Sequence, residues 1–250
     1  MKIYLAATSM VKDAFSDEKI NPSEINVLES FFSIQSWQCP LIPKFNDFLL
    51  DSGAFTFLKN KKIMDYERYA DEYADFILKY QIKKYFELDL DAIIGINKTE
   101  KLRERIEQKT KIKSIPVWHK NRGKQYFIDM CKEYPYVALG GIALQEISKT
   151  NFELMFPWFI NVAHINKAKI HGLGYTNLKG LTKYHFNSVD STTWTMGSRY
   201  GQIMEFRNGT IIKHNSVKNG IKYRKIKNIQ DATLHNFMEW VKYTKYMENK

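Results

Sequence analysis

The chain has 250 residues, 44% of them hydrophobic and 26% charged, with 38 lysines and arginines against 27 aspartates and glutamates, a formal net charge of +11. This is ordinary for one large globular domain, and no apolar run reaches the roughly 18 residues that span a bilayer. Two cysteines, Cys39 and Cys131, are too few for a disulfide framework and too far apart for a metal-ligand cluster, so both are expected as reduced thiols.

The pattern in chain order alternates short apolar runs with helical segments. Lys2–Ala7 reads as a first buried strand rather than a signal peptide, and a cytoplasmic protein is expected. Phe48–Leu50 is the next strand, followed by a helix over 65–80 that places Tyr66, Tyr69, Tyr73, Phe76 and Ile77 on one face. Lys84–Leu88 is a third strand. A charged helix over Thr99–Gln108 leads into a fourth, Ser114–Trp118. Helix Gly123–Glu133, strand Tyr136–Leu139 and helix Phe152–Ile165 follow, with Pro157 expected in the first turn of the latter or at a kink. Strand Ala168–His171, short helix Asn177–Lys183 and strand Phe186–Val189 complete the alternation. Arg207-Asn208-Gly209 signals a hairpin, Ile203–Phe206 is a candidate eighth strand, and Ala232–Met247 is a closing helix. The expected fold is α/β, a single (β/α)8 TIM-type barrel over residues 1–250, irregular toward the C-terminus, with an open doubly wound sheet as the alternative.

In a barrel the C-terminal strand ends share one rim, where catalytic groups gather. Asp51, Asp89, His119, Gly140, Gly141, His171 and Asp190 all follow successive predicted strands. Taken singly, each reads better as a turn or helix-cap residue, and Asp190 beside Ser191 and Thr192 has the makings of a cap. Their recurrence after strand upon strand favours a shared site.

Local strings around these residues resemble those of the tRNA-guanine transglycosylases. Asp51-Ser52-Gly53-Ala54-Phe55 resembles the DSGGFQ signature of that family, and Leu139-Gly140-Gly141-Ile142-Ala143 resembles its GGLA loop. Val189-Asp190-Ser191 with Arg199-Tyr200-Gly201 is similar to its nucleophile segment. Pro116-Val117-Trp118-His119, His171-Gly172-Leu173-Gly174 and Ser188-Val189-Asp190-Ser191 look more like the short viral branch, which includes 7-deazaguanine DNA-guanine transglycosylases; for a viral source the compartment is the host cytoplasm. The matches run in the family's order from Asp51 to Gly201.

Base exchange breaks a glycosidic bond through an oxocarbenium-like state, which one carboxylate traps while a second group handles the proton of the base. The resemblance implies Asp190 as the nucleophile and Asp51 as the acid/base. Asp89 suits recognition of the guanine N1–H and amine, with Asp91 as its alternative, since Glu87, Asp89 and Asp91 share one side of an extended chain. Gly140 and Gly141 are expected to leave N–H groups open to the base carbonyl, and His119 to donate nearby or serve a structural role. His171 is expected against base or sugar; Phe55 offers a stacking surface or core packing, and Trp118 reads as core. Arg199 and the basic 213–227 stretch, with Lys213 and Arg224, are phosphate-binding candidates or a solvated loop.

The basic surplus favours a polyanion through counterion release, although a lysine-rich surface also serves solubility. The tRNA enzymes carry a zinc cluster after the nucleophile, yet no cysteine follows Cys131, so neither metal nor cofactor is expected. The expected function is replacement of guanine in DNA by a free 7-deazaguanine base such as preQ0. The alternatives are the same exchange on tRNA, a base-excising N-glycosidase, and a non-catalytic nucleic-acid-binding module.

Overall fold

Strands buried on both faces need apolar residues at almost every position, and the first strand shows how this chain meets the demand. Ile3 and Leu5 turn outward into a large core shared with helices, whereas Tyr4 and Ala6 turn into a smaller interior cluster. The computed structural model describes residues 1–53, 65–142, 148–196, 202–215 and 228–250. In chain order the elements are β1 (Lys2–Ala6), α1 (Lys12–Ser16), β2 (Asn26–Ser30), β3 (Asp47–Asp51), α2 (Tyr66–Lys79), α3 (Asp91–Ile94), α4 (Ile96–Thr110) and β4 (Val117–Trp118). They continue with α5 (Gly123–Glu133), β5 (Tyr136–Leu139), α6 (Lys149–Ile165), β6 (Lys169–Gly172), α7 (Leu178–Lys183), β7 (Ser188–Ser191), β8 (Gln202–Arg207), β9 (Thr210–Asn215) and α8 (Ile229–Asn249).

The frame is a curled parallel sheet of seven strands in the order β3-β2-β1-β7-β6-β5-β4. This corrects the expected closed eight-stranded barrel. Between the sheet edges β3 and β4, the predicted strand over 84–88 makes only single parallel bridges, Leu50 to Tyr85 and Phe86 to Ile115. Tyr73 of α2 reinforces that junction, its hydroxyl lying 3.3 Å from the Leu50 carbonyl and 3.0 Å from that of Phe86. The candidate eighth strand, Ile203–Phe206, lies instead in an antiparallel hairpin outside the parallel sheet. Its turn residues Asn208 and Gly209 both have positive φ, 52° and 76°, the requirement of a tight primed turn. The free edge of β8 is covered by α8: Asn236 accepts from the Met204 N–H at 2.8 Å and Glu239 from that of Phe206 at 2.7 Å. β2 escaped the sequence reading altogether. Its NVLES run is short and mixes polar with apolar residues, yet all but Ser30 are buried.

Helix α2 starts at its N-cap Asp65, whose side chain accepts from the Arg68 N–H. Helix α6 begins at Lys149, three residues before the expected start, so Pro157 sits in its third turn rather than its first. Among the described residues no helix is long and apolar enough to cross a membrane.

The interior of the curl is lined by Tyr4, Leu28, Leu49, Phe86, Val117 and Ala138. At the N-terminal strand ends its floor is ionic. Asp47 of β3 binds Lys2 and Lys84, and accepts from the Tyr4 hydroxyl at 3.0 Å. Burial alone would raise the Asp47 carboxyl, but the two lysines outweigh it and hold the group below its ordinary value. Asp47→Ala leaves two neighbouring ammonium groups unpaired. Because both lysines keep partial contact with water, a loss of about 1–2 kcal/mol is expected, read from the urea unfolding midpoint; an unchanged midpoint would mean the floor contributes no stability.

Candidate active site

Alternate residues of a strand share a face, so stepping two residues along from the interior cluster identifies what crowns it. From Leu49 the step reaches Asp51, from Val117 His119 and from Ala138 Gly140, while Asp190 stands beside interior-facing Tyr4 in the ladder. His171 pairs with Ala138 in the ladder, and its ring reaches across the interior to Phe86 at 5.1 Å and Tyr4 at 6.1 Å. The curl of the sheet thus brings the C-terminal ends of β3, β5, β6 and β7 to one rim.

Asp51 ends β3. The chain turns back sharply after it, and the Gly53 N–H donates to Asp51 Oδ2 at 3.0 Å, an Asx turn. Gly53 has φ 80°, and a Cβ there would fall 2.4 Å from Phe32 Cβ, so the turn requires glycine. Tyr69 of α2 holds the same turn by donating to the Ser52 carbonyl at 2.7 Å. Burial pushes the Asp51 carboxyl up to about 6; the Gly53 N–H opposes the shift, and the charges of Asp190 and Asp89 add to it. Asp190 and Asp89 thus lie close enough for their charges to disfavour ionisation of Asp51.

Asp190 is not a helix cap. Its Oδ1 accepts from the Gly174 N–H at 2.6 Å and lies 3.2 Å from His171 Nε2, while Ser191 Oγ receives the Thr193 N–H. Asp190 Oδ2 makes no hydrogen bond among the described residues. His171 is fully buried. Expected against a base or sugar, it stands behind Asp190 with Ser188 Oγ 2.5 Å from its Nδ1.

Asp89 and Asp91 part company. The chain bends after Leu88, and Leu90 donates back to the Leu88 carbonyl at 2.9 Å. The expected single face for Glu87, Asp89 and Asp91 is therefore broken. Asp91 accepts a two-pronged ion pair from Arg122 Nε and Nη2 at 2.5 and 2.7 Å, and Glu87 binds Arg122 and Arg103 at 2.9 and 3.2 Å. Asp89, at 22% side-chain exposure, instead meets His119 Nε2 at 2.7 Å. That ring lies against Gly140, where a Cβ would fall 2.6 Å from His119 Nε2. The Gly140 N–H is not open to a ligand, since it donates to the Trp118 carbonyl at 2.9 Å in the ladder. Gly141, at φ 75°, is the residue whose N–H has no partner among the described residues. Trp118 is core, with its indole N–H on the Gly123 carbonyl.

Lys213 is exposed on β9, with Nζ 3.9 Å from Met196 Sδ, which places it beside the segment following β7. Phe55, Arg199 and Arg224 lie outside the described residues. The sequence reading missed the parts played by Gly174, Ser188 and Tyr136. The signal for Ser188 was its two-residue spacing from Asp190 on the same strand. Among the described residues no group of three or more histidine, cysteine, aspartate or glutamate side chains could hold a metal ion.

No protein-family model matches the chain, and no curated protein matches it.

A carboxyl raised from 3.8 to about 6 holds its proton more tightly in the folded state. Folding therefore loses stability as pH rises through that window, and the penalty persists above it. Asp51→Asn removes the penalty. It is expected to stabilise the protein by about 1–3 kcal/mol at pH 8 and by less at pH 5, compared by thermal unfolding at the two pH values. A destabilised variant at pH 8 would show that Asp51 is not held in an unfavourable charged state.

Proposed function

We propose that this chain is a base-exchange transglycosylase, built on a TIM-type frame, that replaces guanine in DNA by a 7-deazaguanine base of the preQ0 kind. The observation that carries the reading is the Asp51–Asp190 pair. One carboxyl is pushed up to about 6 by burial and neighbouring charge, and the other has one oxygen anchored while the second makes no hydrogen bond among the described residues. Two carboxyls in unlike environments divide acid and nucleophile roles between them.

In the first half-reaction Asp190 Oδ2 bonds to C1′ as the bond from C1′ to the guanine nitrogen breaks. Protonated Asp51 supplies the proton with which guanine leaves. In the second half, Asp51, now a carboxylate, takes the ring N–H proton of the incoming base. That nitrogen bonds to C1′, and the ester opens to return Asp190 as a carboxylate. Asp89 keeps Oδ1 for the N1–H or amine of guanine while His119 occupies Oδ2, and the Gly141 N–H suits the base carbonyl. Phe55 is proposed beside the base. Arg199, Arg224 and exposed Lys213 are proposed on the phosphates, in keeping with the net charge of +11. The reacting nucleotide must lie flipped out or in a single strand.

The test is incubation with labelled guanine or preQ0 and either DNA or tRNA, followed by counting label in the polymer. Label in DNA alone is expected. Label in tRNA alone overturns the choice of polymer, and release of guanine without incorporation indicates a hydrolase. Asp190→Asn is expected to lose at least about a thousandfold in exchange while unfolding cooperatively. Full exchange by that variant would remove Asp190 from the nucleophile's role.

A further inference from the structure

Behind Asp190 runs a chain of hydrogen bonds that leads away from any substrate. Tyr136, on β5, meets Ser188 Oγ; Ser188, on β7, meets His171 Nδ1 at 2.5 Å; His171 Nε2 meets Asp190 Oδ1 at 3.2 Å. Three neighbouring strands supply it, in the order β5-β6-β7. Ser188 is 1% exposed and His171 not at all.

The polarity of the chain follows from its end. An ionised carboxylate only accepts, so a neutral His171 facing it must carry its proton on Nε2. Nδ1 is then an acceptor, the Ser188 hydroxyl donates to it, and Ser188 Oγ in turn accepts from the Tyr136 phenol. That phenol keeps its proton at neutral pH, being pushed up to about 12 by burial.

We infer that Tyr136 and Ser188 are positioning residues for the proposed transglycosylase, fixing the His171 ring with its Nε2–H on Asp190 so that Asp190 Oδ1 is held by two donors and Oδ2 alone faces C1′. Gly174 supplies the second donor. Without the Ser188 hydroxyl, Nδ1 has no partner among the described residues, and the ring loses the contact that fixes its plane. The carboxylate still favours a proton on Nε2, but Nε2 is then free to swing away from Asp190 Oδ1, and the anchor is weakened. The inference rests on the transglycosylase reading for its chemistry but not for its hydrogen-bond geometry, which permits two separate readouts.

The first is the ring ¹⁵N spectrum of the full-length chain labelled at histidine, with the His171 signals identified by their loss in His171→Gln. A neutral ring protonated at Nε2 is expected, changed in Ser188→Ala and restored in Ser188→Thr, which keeps the hydroxyl. A ring protonated at Nδ1 or at both nitrogens in the unaltered protein overturns the inference, as does a spectrum unmoved in Ser188→Ala. The second is base exchange. Ser188→Ala is expected to lower kcat about ten- to a hundredfold with KM for the nucleic acid little changed; Tyr136→Phe is expected to lower it less, and Ser188→Thr to recover most of it. Should Ser188→Ala fail to fold, Tyr136→Phe carries the same two readouts. Exchange that survives intact in Ser188→Ala sinks the positioning role and leaves the transglycosylase standing. A protein with no exchange at all sinks the transglycosylase, while the spectrum still decides the relay.

Discussion

The two-residue period of β3 places Asp47, Leu49 and Asp51 on the same interior face, and the contrast between its two aspartates organises the molecule. Asp47 sits at the floor with two lysines and a phenol around it, and its carboxyl is held below the ordinary value. Asp51, four residues on, has a backbone N–H but no cation beside it among the described residues, and its carboxyl is raised. The strand, the face and the residue type are the same, so the difference lies wholly in what the neighbouring strands bring to each end. Lys2 begins β1 and Lys84 precedes the bridge at Tyr85, whereas Asp190 comes from the C-terminal end of β7. A parallel sheet sorts beginnings from ends, and among the described residues one mouth of the curl pairs its carboxylate with lysines while the other gathers Asp51, Asp89 and Asp190. Excess buried charge is unfavourable for folding, and it persists at the end where ligand-binding loops gather in such sheets.

Outside the sheet a second ionic system sets the loop that carries Asp89. Glu87 is wholly buried, binds Arg103 and Arg122, and accepts the Val117 N–H at 2.6 Å, so it couples this loop directly to β4. Arg122 extends the link to Asp91. Removing one member would strand a buried charge, and such networks fix geometry more than they stabilise. Their effect here is to leave Asp89 as the carboxylate of its loop that turns inward, opposite a histidine delivered by the same β4 that Glu87 anchors. Tyr69 and Tyr73 do comparable work on β3, where two phenols hold the carbonyls on either side of Asp51.

Much of the frame was legible in the sequence because most strands are continuous apolar runs and several helices are well marked. Tyr136–Leu139 and Gly123–Glu133 have the bounds expected of them. The 3.6-residue spacing of Tyr66, Tyr69 and Tyr73 marked α2, though not that its hydroxyls reach strand carbonyls. β2 was lost because Asn26 and Glu29 interrupt its apolar pattern; both are buried through specific partners, Glu29 with the Thr8 N–H and hydroxyl and Asn26 with Asn46. Tertiary hydrogen bonding of this kind leaves no local trace. The same limit explains Gly140, chosen for an open N–H: its small size was the informative property, since the ring of His119 takes the place of a side chain, while its N–H belongs to the ladder. Ile203–Phe206 has an apolar strand pattern but is followed two residues later by the hairpin code Asn208-Gly209, and the local turn outweighs the barrel rhythm.

The two histidine–aspartate contacts show why strand position alone does not assign a role. His119 and His171 both stand near the ends of interior-facing strands, and each lies against one aspartate of the candidate site. His119 belongs to the loop end of β4, and its aspartate keeps the greater exposure of the two. In the proposed reaction a ligand entering the mouth would reach the partly exposed Asp89 first and compete for its contact with His119. His171 lies inside β6, beneath its own aspartate, with both ring nitrogens engaged and aromatic rings of Tyr4 and Phe86 beside it. No ligand reaches it without displacing the interior core. A contact that a ligand can break is suited to recognition, and one that it cannot break is suited to holding a reactive group still. The depth of each pair in the curl, set by where its strand stops, separates the two uses.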